Sequence, residues 1–190
     1  MKLLPITTKF ASRFQAKIRK ISKNLAHHTI AERVKPQSLL LLGDGELDDQ
    51  VAAILCYHLN GEKVAAIAKS QFTRVSALEN LPIYLRNLVT LAKIIEILDQ
   101  EEDSLDTIFK NVKRTLQSKG IKYEVKYDSY RVKKFECILG GYAFDLIIIV
   151  SGLDDPRFIK HNIEEHLVYA AIKLGKLDLD NERVLSLIHI

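Results

Sequence analysis

From Thr7 onward, apolar residues recur at steps of three or four, at Phe10, Phe14, Ile18, Ile21 and Leu25. That spacing puts them on one face of a helix. Val34-Lys35-Pro36-Gln37 then reads as a linker, and the apolar run Ser38 to Leu42 ends at Gly43-Asp44-Gly45. A short run closed by glycine predicts a buried strand. Asp48 and Asp49 open an amphipathic helix carrying Val51, Ala52, Ile54, Leu55 and Leu59, which Asn60-Gly61 closes.

The same grammar repeats along the chain. Lys63 to Ser70 reads as a strand, and Ala77 to Thr90 as a helix that Pro82 starts or kinks. Lys93 to Leu98 is a strand opening into Asp99-Gln100-Glu101-Glu102-Asp103, after which Asp103 or Ser104 caps a helix bearing Leu105, Ile108, Val112 and Leu116. Tyr123 to Tyr127 and Lys133 to Leu139 read as strands, and Phe144 to Val150 as another buried one. A helix is predicted from about Phe158 to Leu174, with a terminal turn within Asp180 to Ile190. Strands alternating with helices predict an α/β fold with a mainly parallel, Rossmann-like sheet, and the strands near Lys133 allow an antiparallel hairpin. We divide the chain into a basic amphipathic helical extension, 1–35, and an α/β domain, 36–190.

Composition narrows the classes. The 190 residues suffice for one domain with a sizeable core, and 47% hydrophobic with 27% charged residues is ordinary globular usage. No apolar run approaches the roughly 20 residues that span a bilayer. Lys9, Arg13 and Lys17 interrupt the start of the chain, where a secretory signal needs a continuous apolar centre. Cys56 and Cys137 supply no disulfide framework, and a reducing cytoplasm is the simpler expectation. Between Met1 and Lys35 the basic residues face one acid, Glu32. Lys9, Arg13, Lys17 and Lys20 therefore become candidates for contacting nucleic acid or another anionic surface, against the plainer reading of a solvated helix face.

Chemistry is expected where strands leave the sheet. Asp44 and Asp48, Asp99 and Glu101, and Asp154 and Asp155 stand at three such exits. Carboxylates brought together repel unless a cation or proton intervenes, so convergence favours a hard ion such as Mg²⁺ or Mn²⁺. Taken singly, each motif also fits a strand-ending turn or solvated acid at a helix start. His161 and Glu165 lie four apart on the predicted last helix and share a face, making them candidates for the rim of the same cleft, with a surface pair as the alternative.

The order of these motifs resembles the Toprim superfamily, the catalytic domain shared by topoisomerases, bacterial-type primases and several nucleases. Its glutamate and glycine after the first strand resemble Asp44-Gly45-Glu46-Leu47-Asp48, and its later Asp-x-Asp resembles Asp99-Gln100-Glu101. In both motifs one acid replaces the other. The resemblance spans roughly Ser38 to Val150. It implies Asp44 as proton-handling group, with Asp99, Glu101 and Asp48 as ligands of Mg²⁺ or Mn²⁺. It further implies a phosphoryl-transfer or nuclease-type activity on nucleic acid. Two other readings stand beside it: a non-catalytic nucleic-acid, nucleotide or protein-binding module of the same fold, and an oligomerising structural protein.

Overall fold

The computed structural model describes residues 1–30, 34–43, 45, 47–59, 61–69 and 76–177. The central sheet has seven strands: β1 (Lys2–Pro5), β2 (Ser38–Leu42), β3 (Val64–Lys69), β4 (Lys93–Asp99), β5 (Lys122–Asp128), β6 (Val132–Leu139) and β7 (Tyr142–Ser151), in the order β1-β3-β2-β4-β7-β6-β5. The strands from β1 to β7 in that order are mutually parallel. β6 runs antiparallel to β7, and β5 antiparallel to β6. The mainly parallel sheet with a hairpin near Lys133 follows the expectation.

Alternation in the strands divides the core into two layers. Leu39, Leu41, Ala66, Ala68, Ile94, Leu98, Leu146 and Ile148 face one side, where helix α6 (Leu105–Ser118) packs with Ile108, Phe109, Val112 and Leu116. Leu42, Ala65 and Ile67 face the other, beneath α1 (Thr8–Ile21), α2 (Lys23–Thr29) and α3 (Asp48–His58). Ala65 of β3 and Ala52 and Ala53 of α3 keep that layer thin enough for helices to approach the sheet closely.

Three helices differ from their predicted form, each through its caps. The apolar stripe from Phe10 to Leu25 is split at Ser22, whose extended backbone ends α1 and whose hydroxyl accepts the Leu25 N–H to start α2. Phe14, Ile18 and Leu25 stay buried, while Ile21, at the break, turns outward. The 77–90 segment is two helices, α4 (Ser76–Glu79) and α5 (Leu81–Asn87). Pro82 sits in the first turn of α5, where its missing N–H would have had no partner within the helix. The last helix, α7 (Ile163–Lys173), begins later than predicted because Asn162 caps it by accepting the Glu165 N–H at 3.1 Å.

β1 has no counterpart in the sequence reading, since four residues are too short for a periodic signal. It makes the amino-terminal segment part of the sheet: Leu3, Phe14 and Ile18 are fully buried in the second core layer. The turn predicted within 180–190 lies outside the described residues. Among the described residues no helix is long and apolar enough to cross a membrane.

Candidate functional site

β2 hands the chain to α3 on one face of the sheet, while its neighbour β4 hands it to α6 on the other. Helices departing to opposite faces leave a crevice at the carboxyl ends of the two strands, the position where open α/β sheets take ligands. Asp48 and Asp99, two of the acids read from the sequence, stand at these strand exits.

Asp48 is the first residue of α3, and its side chain folds back over the turn that follows β2. A Cβ on Gly45 would stand 2.6 Å from Asp48 Oδ1, and one on Gly43 would stand 3.4 Å from Oδ2. Glycine at 45 is therefore a condition for the carboxylate's position. Oδ1 is buried without a hydrogen-bond partner. Burial, and then the charge of Asp99, push the Asp48 carboxyl up to about 7, with smaller raising contributions from Glu164 and Asp49 and a lowering one from Lys69.

Asp99 ends β4 opposite Ser151 of β7. The Ser151 hydroxyl donates to Asp99 Oδ1, and the Ile163 N–H supports the same carboxylate. Burial still prevails and raises the Asp99 carboxyl, helped by Glu164 and Glu101. Glu164 is the acid that sequence reasoning missed. It sits in the first turn of α7, and only the fold of the 152–162 loop brings its charge to bear on both Asp48 and Asp99.

Asp49, one residue along from Asp48, is almost fully buried and ion-paired: Lys17 Nζ lies 3.4 Å and Lys69 Nζ 3.9 Å from its Oδ1. Lys69 also donates to the Gly45 carbonyl, tying the glycine turn to the end of β3. Lys17, expected to face an anionic partner, thus holds α1 to α3, while Lys9, Arg13 and Lys20 remain exposed.

The other predicted residues are more scattered. Glu101 has a left-handed backbone (φ 49°) and is exposed, with its charge acting on Asp99. Asp154 accepts from Arg131 Nη2 at 2.6 Å, while Arg131 Nη1 donates to Gln100 Oε1 at 2.8 Å. Asp155 accepts from the Arg157 backbone and guanidinium, and those hydrogen bonds lower its carboxyl to about 2. Glu165 is buried and accepts the N–H groups of Lys160 and His161, each at 2.7 Å, so it fastens the loop instead of lining a rim. The His161 carbonyl accepts from Gln100 N at 3.0 Å, and its Nδ1 is buried without a partner. His166 Nε2 accepts the Gly152 N–H at 2.9 Å; burial first, then the charge of Arg131, lowers this imidazole below its usual range.

Asp44, the expected proton-handling residue, lies outside the described residues. Among the described residues, no group of three or more His, Cys, Asp or Glu side chains is placed to hold a metal ion. The convergent acids are the pair Asp48 and Asp99, with Glu164 acting on both by charge. Compared with protein-family models, curated proteins and solved structures, the chain has no match.

Proposed function

We propose that this chain is a Toprim-like, metal-dependent phosphoryl-transfer protein of the nuclease type, acting on nucleic acid at the crevice between β2 and β4. The observation that carries the reading is the desolvated pair Asp48 and Asp99, with an Asp48 oxygen left unpartnered at a strand switch point. Two partly buried carboxylates close enough to raise each other's proton affinity, neither of them in a salt bridge, are costly, and a divalent cation or a proton offsets that cost. Mg²⁺ is commonly held by one or two carboxylates, with waters and substrate phosphates completing its shell, so Asp48 and Asp99 fit it as ligands. When bound, the cation would neutralise charge developing on a phosphoryl group.

The chain's own residues supply the rest. Ser151 and the Ile163 N–H orient Asp99, and Gly43 and Gly45 leave room for the Asp48 carboxylate. Lys69 fastens the turn, and the exposed Lys9, Arg13 and Lys20 offer positive charge to a phosphate backbone. As a ligand Asp48 would be ionised, and proton handling stays with Asp44, as the resemblance implies. The second reading, a binding module of the same fold, is favoured by the exposure of Glu101, one of the expected metal ligands.

Cleavage of single- and double-stranded nucleic acids, with Mg²⁺ or Mn²⁺ against EDTA, tests the proposal. We expect metal-dependent cleavage that Asp99→Asn lowers by on the order of 100-fold or more. A folded wild-type protein that binds nucleic acid without cleaving any substrate would support the binding module. Undiminished cleavage by Asp99→Asn would overturn the metal site.

A further inference from the structure

Gln100 follows Asp99 in the chain and also lines a groove of about 490 Å³ between the first turn of α6 and the β5–β6 turn. Ser104, Asp106 and Phe109 form one wall, and Asp128, Tyr130 and Lys133 the other. Its charge is uneven. Lys133 Nζ lies 2.6 Å from Asp128 Oδ1 and 4.6 Å from the Phe109 ring centre, so its cation is already engaged. With Asp128 paired to Lys133, the charge of Asp106 leaves the lining net negative, which disfavours phosphate and favours N–H donors.

The mouth of the groove carries an aromatic platform. Tyr130 is 68% exposed, and the Arg131 guanidinium lies 5.3 Å from its ring centre. Arg131 is itself fixed by Gln100 and Asp154, so the ring rests on an immobilised cation instead of a mobile side chain. A flat π surface beside acceptor oxygens and hydroxyls suits a planar heteroaromatic ring bearing amino groups. Base–aromatic stacking is the usual way such a ring is held without strict sequence readout.

We infer that the groove between α6 and the β5–β6 turn binds a nucleobase, stacked on Tyr130 with its amino edge toward Asp106 and Asp128. This rests on the phosphodiester reading above and deepens it. A strand whose phosphate occupies the acidic crevice would have an adjacent base within reach of the groove, because Gln100 borders the groove and Asp99 the crevice. The base is carried by a nucleic-acid strand or by a free nucleotide, and the chemistry recognised is the same.

The experiment compares a short fluorescent single-stranded oligonucleotide with an abasic strand of equal length, by anisotropy in EDTA so that no strand is cut. The base-bearing strand is expected to bind about tenfold tighter. Tyr130→Ala should reduce its affinity to that of the abasic strand, and Tyr130→Phe should keep the preference. Displacement by adenosine 5′-monophosphate, but not by ribose 5-phosphate, would show that a single free nucleotide suffices. Displacement only by strands would assign the site to nucleic acid. Equal affinity for the two strands, or a preference that survives Tyr130→Ala, overturns the groove. Metal-dependent cleavage without base preference would overturn the groove alone, and base preference without cleavage would overturn phosphoryl transfer alone. Failure to bind either strand overturns the groove, and only if cleavage is also absent with Mg²⁺ and Mn²⁺ does the phosphoryl-transfer reading fall with it.

Discussion

The exits of β2 and β4 and the exit of β7 carry similar acids in opposite circumstances. At the β7 exit, Asp154 is matched by Arg131 and Asp155 by Arg157. There the Asp155 carboxyl falls to about 2. In the β2–β4 crevice, Asp48 and Asp99 face each other with burial as the leading influence, and the Asp48 carboxyl rises to about 7. The difference separates two uses of an acidic turn. Acids in salt bridges fasten a loop, whereas partly desolvated acids outside any salt bridge hold electrostatic free energy that a ligand can release. Asp48 and Asp49 repeat the contrast within one helical turn, since Lys17 and Lys69 form salt bridges with Asp49 while Lys69 reaches Asp48 only through its charge.

Four substitutions would break or sharpen this contrast. The largest expected effect is at Glu96, an unpaired acid with no route to solvent. It is fully buried on the same face of β4 as Ile94 and Leu98, both its oxygens lack partners, and burial raises its carboxyl well above the usual range. Glu96→Leu should stabilise the fold by about 3 kcal/mol at neutral pH in chemical denaturation. A destabilised variant would show that the acid has a partner or a bound water. The gain should shrink toward acid pH, where the unfolded chain also protonates Glu96.

Gly152→Ala tests the β7 exit through geometry. With φ at 145°, its Cβ would stand 2.7 Å from Arg131 Nη1 and 3.0 Å from Gln100 Oε1. A loss of about 2 kcal/mol is expected, read as a lower denaturation midpoint. Full stability would mean that the Arg131 network is loosely held.

Asp48→Asn acts through pH. Because the folded-state value lies above the unfolded one near 3.8, protonation favours the fold. That contribution is complete below the unfolded value, declines as pH rises and is gone above about 7. In metal-free buffer the variant should therefore be more stable than wild type above neutrality, with the advantage fading toward pH 4. A pH-independent difference would remove the desolvated acid from the account. Added Mg²⁺ should stabilise the wild type more than the variant.

The smallest effect belongs to Asp155→Asn. Its folded-state value is depressed, so its contribution is present above the unfolded value near 3.8 and lost as pH falls through about 2. The pair with Arg157 is largely exposed and local. At pH 7 the thermal midpoint should move by no more than about 1 °C. A larger fall would give the β7 exit a structural weight that its exposed pair does not suggest.

Much of the fold was legible because buried strands and amphipathic helices have their own periods. Leu39 to Leu42, Ile94 to Leu98 and Leu146 to Val150 read as strands, and the stripe Ile108, Val112, Leu116 as a helix, since each must bury an apolar face whatever its neighbours are. Of the site, the exits bearing Asp48 and Asp99 were legible, because acids that follow a short buried strand and precede a helix are a local pattern. Glu164 was not: nothing near it in the chain distinguishes it from Glu165, and the loop fastened by Glu165 decides which of the two faces the crevice.

What the sequence alone determined is the alternation of strands and helices, a helix start at Asp103 or Ser104, and the placing of acids at strand exits. These depend on side-chain period, capping chemistry and chain-local sterics. Only the tertiary structure decided that β4 lies beside β2, that β1 belongs to the sheet, and which acids find a cation. Strand order and charge pairing join residues far apart in the chain: Lys17 with Asp49, Ser151 with Asp99, Arg131 with Asp154. Whether a carboxylate is paired or stranded depends on distances and solvent exclusion that exist only once the layers have packed.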